Sequence, residues 1–233
     1  MIRLSPVAYY QPAFVAALPI GIVAGVHLVP GPEPVPPEVL ERLPPEERLF
    51  AMEQRGFRQG QFVGGRLALS LALSELGVRR PPILPDGRGA PVGPPGVMMS
   101  VSHKQDLAVA LVARGADAVG VDIEEVGRPR PGIAARVLRP AELAVASALP
   151  EDRAWCDTLV RFSVKEAIYK ALDPSLRRYI DFTEVEVWPA PDGADEVRSF
   201  LPAEDDRFLI EARHTWLENE RVLSTVRVRP RRP

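Results

Sequence analysis

The segment Val119–Val126 reads VGVDIEEV, an apolar run carrying three carboxylates in four residues. Side chains alternate across a strand, so Gly120, Asp122 and Glu124 share one face and Val119, Val121 and Ile123 the other. Residues two apart on a strand stand roughly 6–7 Å from one another, which lets two carboxylates address one cation without touching. Gly120 leaves space beside them. The plain alternative is a strand with a wet polar face. Against it, the preceding run Leu107–Val112 is apolar on both faces, so a neighbouring strand should also be covered. Burying ionised carboxylates without partners costs several kcal/mol or more, and a cation removes that cost. Oxygen donors without Cys or His clusters favour Mg²⁺, which fills its shell with water and substrate phosphate.

A third acid stands in Phe162–Leu172, FSVKEAIYKAL. At 100° per residue, Glu166 lies in an arc with Leu159, Phe162, Ser163, Tyr169 and Lys170. Most of the remaining circumference is apolar, as in a core helix, with Arg161 and Lys165 as its one polar edge. Glu166 and Lys170 are four apart, which on an exposed helix would be an ordinary ion pair worth about 0.2–0.5 kcal/mol. Within an apolar arc they are candidates for a metal ligand and a phosphate ligand.

The elements that must position these residues are partly readable. Ile20–Leu28 fits a strand, and Pro30–Pro37 holds five prolines in eight residues, a loop. Pro44 and Pro45, followed by Glu46 and Glu47, open a helical stretch that runs to Leu76 with a break near Gly56–Gly60. Gly77 suits its C-terminal cap. Arg80–Gly96 reads as a long loop. Strands are expected at Val97–Val101 and Leu107–Val112, the latter central in its sheet, and from Val119. Two short helices parted by Pro140 should occupy Pro131–Leu149. Trp155–Leu172 is the strongest helical segment, with Asp152 as its N-cap. Phe182–Trp188, Arg207–Ala212 and Val222–Val228 read as strands, and the terminal RPRRP as a frayed tail. The order implies an α+β fold of two units, 1–116 and 117–233, joined near residues 113–118.

Composition narrows the classes. The 233 residues are 46% hydrophobic, and 29 basic against 31 acidic side chains leave a net charge of −2. Nucleic acid and anionic membranes are therefore not expected partners, and any anion site must be local. The single cysteine, Cys156, excludes an internal disulfide and a Cys-based zinc site. The N-terminus lacks the pattern of a signal peptide, and Leu18–Val29 is too short and too interrupted to span a bilayer. A cytoplasmic protein is the expectation.

The motifs Gly120-Val121-Asp122-Ile123-Glu124 and Phe162-Ser163-Val164-Lys165-Glu166-Ala167-Ile168-Tyr169-Lys170-Ala171, in this order, resemble those of the 4′-phosphopantetheinyl transferases. The resemblance is to the monomeric class that acts on peptide, polyketide and enterobactin-type synthases. Arg58–Arg66 (RQGQFVGGR), Gly87–Pro91 (GRGAP) and Ser100–Lys104 (SVSHK) extend it over roughly residues 55–172. Phe162 stands where the family often has Trp, and Ala90 where some relatives carry Lys, for which Arg88 could substitute. The N-terminal 50 or so residues match poorly.

This resemblance implies two similar α+β halves in a pseudo-dimeric arrangement, with coenzyme A in the cleft between them. It implies Mg²⁺ on Asp122, Glu124 and Glu166, and Lys170 on the coenzyme A phosphates. Ser102 and His103 would lie against the adenosine phosphate and pyrophosphate, Arg58 and Arg66 against the 3′-phosphate and adenine. The N-terminal half would then bind coenzyme A and the C-terminal half hold the ion and the catalytic residues Glu166, Lys170 and Asp122. The implied reaction moves 4′-phosphopantetheine from coenzyme A to a serine of an apo carrier protein of a polyketide, nonribosomal peptide or fatty acid synthase. It releases 3′,5′-adenosine diphosphate. Glu166 is the leading candidate to take the serine proton, directly or through a water on the ion. Lys165 and Arg136 are candidates for docking an acidic carrier, and one chain with both halves favours a monomer. The rival readings are a Mg²⁺-dependent nucleotidyl or phosphoryl transferase using another nucleotide, and a carrier-binding module without catalysis. No Walker-type GK[ST] loop supports the first.

Overall fold

A computed structural model of the chain describes residues 1–115, 117–130, 132–218 and 220–231. Ala116 in the expected joint, Pro131 at the expected helix start, and Arg232 and Pro233 of the tail lie outside the described residues. The chain forms two compact units, Ile2–Ala116 and Asp117–Pro233, the latter with Met1.

The first unit runs β1 (Pro12–Leu18), β2 (Gly21–His27), α1 (Pro37–Leu40), α2 (Pro45–Glu53), α3 (Phe57–Glu75), β3 (Val97–Lys104) and β4 (Leu107–Arg114). Its antiparallel sheet has the order β1-β2-β4-β3. The all-apolar β4 takes an interior place, as its composition demands: Leu107–Val112 is wholly buried. Strand β1 escapes the sequence reading because PAFVAAL is short and lacks a clean alternation. Helix α3 lays Val63, Leu67, Leu69, Ala72 and Leu73 on the sheet. It ends in a Schellman motif. Gly77, at φ +67°, donates to Ser74 O, and Val78 N donates to Leu73 O.

The second unit runs β5 (Ala118–Glu125), α4 (Ile133–Val137), α5 (Pro140–Ser147), α6 (Glu151–Leu176), a short 3-10 turn (Phe182–Glu184), β6 (Val185–Trp188), β7 (Ala194–Ser199), β8 (Phe208–Leu217) and β9 (Arg221–Pro230). The sheet order is β5-β9-β8-β7-β6. Strand β5 pairs with β9, so the expected adjacency of Val119–Val126 to β4 is wrong; the two strands belong to different sheets. Its carboxylate face is covered by α6 instead. Gly120 is the point of closest approach, where a Cβ would run into the Ala167 carbonyl and the Ala171 nitrogen. Trp155 Nε1 donates to Val126 O at 2.5 Å, just past the end of the strand.

Several expectations on and around α6 are corrected. Pro150, not Asp152, precedes its first residue, and Asp152 sits in its first turn. Arg161 and Lys165 are not a polar edge but are among the most deeply buried side chains. Lys165 Nζ donates to Glu142 Oε2 at 2.6 Å, Val137 O at 2.8 Å and Phe182 O at 3.0 Å. Glu142, wholly buried at the third position of α5, also accepts from Arg139 N and Val187 N. Arg161 bonds Asp157 at 2.7 Å and the Val187 carbonyl. Lys165 is therefore unavailable for docking a partner. The described part of the tail is ordered as well: Arg231 N donates to Arg207 O, and its Nε to Phe208 O.

Removing one member of a buried ion pair leaves the other charge desolvated, at a cost of about 3–5 kcal/mol. Lys165→Met should lower the unfolding free energy by that order in urea titrations, although Met fills a similar volume. A loss below about 1 kcal/mol would show that the pair is not needed.

Candidate active site

Two groups of the expected residues come together, one in each unit. In the second unit, Asp122 and Glu124 stand on the α6-covered face of β5, 5% and 8% exposed. Lys170 reaches back from α6 to bond Asp122 Oδ1 at 2.7 Å and Val121 O at 3.1 Å. Glu166, one turn earlier on α6, is half-buried. Burial raises its carboxyl above the ordinary value of 4.5; repulsion from Asp122 and then Glu124 adds to the rise, while Lys170 opposes it. The three acids thus share one electrostatic neighbourhood. Among the described residues, no three His, Cys, Asp or Glu side chains lie within metal-ligating distance of a common point.

The donor set fits a hard divalent cation in its chemistry. All three donors are carboxylate oxygens, two are desolvated, and the charges of Asp122 and Glu124 make Glu166 harder to ionise.

Glu166 also borders a cavity of about 610 Å³ that Arg130, Arg136, Phe162, Tyr179 and Phe182 help to line. Tyr179, Phe182 and Arg130 were not singled out from sequence: Arg130 and Tyr179 lie on loops without a periodic pattern, and Phe182 reads as the start of a strand where the structure has a 3-10 turn. Phe162 packs against Phe182, with ring centroids 5.6 Å apart.

In the first unit, Arg58, Arg66, Ser102 and His103 line one pocket of about 310 Å³, with Gln54, Gln61, Phe62 and Gly89. Residues Arg58 and Arg66 are eight apart on α3, and Ser102 and His103 sit on β3. Arg58 and His103 are exposed, Arg66 and Ser102 buried. The Arg66 guanidinium lies 4.3 Å from the Phe62 ring centroid, and its Nε donates to Ile83 O at 2.6 Å. Desolvation brings its pKa down to about 10, against the pull of Glu47. Arg88 is exposed on the loop, its backbone N–H bonded to Asp86, and it is Gly89 rather than Arg88 that lines the pocket.

A carboxyl whose folded pKa is raised contributes stability below its unfolded pKa and loses it as pH rises through the folded value. For Glu166 that window opens near 4.5 and extends upward. Glu166→Gln should therefore be stabilised relative to the parent, increasingly so as pH is raised through this window in metal-free buffer. Parallel pH profiles in chemical denaturation would contradict the strained acidic cluster.

Comparison with known proteins accords with these motifs. Residues 118–226 match the 4′-phosphopantetheinyl transferase superfamily profile and residues 46–113 the 4′-phosphopantetheinyl transferase N-terminal domain. The 4′-phosphopantetheinyl transferase Svp of Streptomyces mobaraensis is 37% identical over 173 residues, 72% of this chain and 70% of that protein. The 4′-phosphopantetheinyl transferase Npt of Nocardia iowensis is 32% identical over 65% of this chain and 68% of its own length. Enterobactin synthase component D of Salmonella typhi is 35% identical, over 55% and 53%. With its two motifs on β5 and α6, and profile matches in both units, the chain belongs to the 4′-phosphopantetheinyl transferase superfamily.

Proposed function

We infer that the protein transfers 4′-phosphopantetheine from coenzyme A to a serine of an apo carrier protein, releasing 3′,5′-adenosine diphosphate. The observation that carries this reading is the cluster of Asp122, Glu166 and Lys170 on β5 and α6, at the family's two motifs. In the proposed division of labour, the second unit holds the diphosphate and the reacting serine. The first takes the adenosine end and its phosphates in the pocket of Arg58, Arg66, Ser102 and His103. Carrier domains of polyketide, nonribosomal peptide or fatty acid synthases are the proposed partners, with the enzyme working as a monomer.

Phosphoryl transfer depends on alignment and charge neutralisation more than on covalent help. The serine Oγ attacks the β-phosphorus, the bond to the bridging oxygen breaks, and the adenosine diphosphate leaves with that oxygen. Lys170, reaching toward Asp122, supplies a point charge for the phosphates. Glu166 takes the serine proton, directly or through a water. Asp122, Glu124 and Glu166 would hold Mg²⁺, whose contribution when bound is to neutralise diphosphate charge. No described helix is long and apolar enough to cross a membrane. A free Cys156 with its thiol pKa pushed up by burial suits a reducing cytoplasm.

Incubating the protein with coenzyme A, Mg²⁺ and an apo carrier should add one phosphopantetheine to the carrier by mass spectrometry. No adduct across several carriers would defeat the assignment. Glu166→Gln should remain folded and lose transfer by about a hundredfold or more, the scale of a lost general base; near-normal turnover would remove Glu166 from that role. Lys170→Ala should raise the coenzyme A concentration for half-saturation by roughly tenfold, as expected of a lost charged hydrogen bond. An unchanged saturation curve would take Lys170 off the phosphates.

A further inference from the structure

Glu47 is wholly buried, although it stands in the first turn of α2 where an acid is ordinarily solvated. Its two carboxylate oxygens are committed separately. Oε2 takes Arg80 Nη2 at 2.5 Å, and Oε1 takes the backbone N–H of Ile83 at 2.6 Å. The opposite side of the same residue, Ile83 O, accepts from Arg66 Nε at 2.6 Å. Arg80 also donates to Arg66 O at 3.3 Å. A short chain of bonds therefore runs from Glu47 through the Ile83 backbone to the Arg66 guanidinium.

The charges in this chain do not balance. One carboxylate faces two guanidiniums, and it pairs with Arg80 rather than with Arg66. Arg66 is left with a carbonyl on Nε and the Phe62 face against its plane. Fixing Nε in this way orients the Nη edge of the planar fork, the edge that suits bidentate phosphate recognition. Arg66 lines the pocket that Arg58 and His103 share, so the surplus positive charge is available there.

We propose that Glu47 is a positioning residue for phosphate recognition: through Ile83 it aims Arg66 into the first unit's pocket, without touching the ligand. This rests on reading that pocket as the site of the coenzyme A 3′-phosphate. A buried acid that served packing alone would affect stability and leave ligand discrimination as it was. One that aims Arg66 sets how well the protein separates coenzyme A from dephospho-coenzyme A, which lacks the 3′-phosphate.

The test is calorimetric titration of the full chain with both ligands, for the parent, Glu47→Gln, Arg66→Gln and the double variant, each checked for a cooperative melt. Glu47→Asp is the second variant should Glu47→Gln fail to fold. It keeps the charge but draws the acceptor away from the Ile83 N–H. The parent should favour coenzyme A over dephospho-coenzyme A. Glu47→Gln and Arg66→Gln should each reduce that preference by about tenfold, as for a lost charged hydrogen bond, and the double variant should show no further loss. The proposal is overturned if Arg66→Gln erodes the preference while both Glu47 variants keep it, or if the two losses multiply. If Arg66→Gln itself leaves the preference intact, the pocket reading falls and the proposal with it. A parent that binds neither ligand would instead defeat the coenzyme A function as a whole.

Discussion

Everything placed at the acidic site follows from the contact between α6 and β5 at residue 120. With a hydrogen in place of a side chain there, the helix backbone lies directly on the strand. That approach buries Asp122 and Glu124, which follow the contact on the same face. It also brings Lys170 within bonding distance of Asp122 and sets Glu166 where both strand acids raise its pKa. A helix standing a few ångströms further off would leave three solvated carboxylates and a surface lysine, with little electrostatic coupling between them.

The second device is a buried acid at a helix N-terminus, used in both units. In α2 and in α5 the first residue is proline and the third is glutamate: Pro45 and Glu47, Pro140 and Glu142. Each glutamate is wholly buried. Each takes a backbone N–H from a distant segment, Ile83 or Val187, and a basic side chain, Arg80 or Lys165. A carboxylate can do both at once because it offers two oxygens, and at this position it also meets the positive end of the helix dipole. The sequence shows no repeat, yet the two units solve the same problem alike. Each must tie a helix start to a segment far along the chain, next to residues that handle charge. In the second unit, Lys165 connects Val137 and Phe182, both on the wall of the cavity that Glu166 borders.

Much of the candidate site was readable before any fold was known. Arg58 and Arg66 stand out only through the family resemblance, but Asp122 and Glu124 alternate with apolar residues, and Glu166 and Lys170 sit a turn apart on an apolar helix. These are statements about residue type and spacing, which a linear chain carries in full. The two-unit division, the interior place of Leu107–Val112 and the break between α2 and α3 were legible for the same reason. Cavity-lining residues such as Tyr179 and Arg130 were not, because loops position side chains without a period to read.

The sequence alone therefore determined which residues could do the chemistry, every helix but the short α1 and most of the strands, and the family to which the motifs belong. Tertiary structure decided which charges are in water. Arg161, Lys165, Glu47 and Glu142 look like surface residues in any window, yet all four are buried. What hides them is contact with segments tens of residues away, and those contacts leave no local trace. It also decided that β5 is covered by a helix and paired with β9, not with β4. Strand pairing depends on closing long loops and matching whole faces, and neighbouring residues do not encode it.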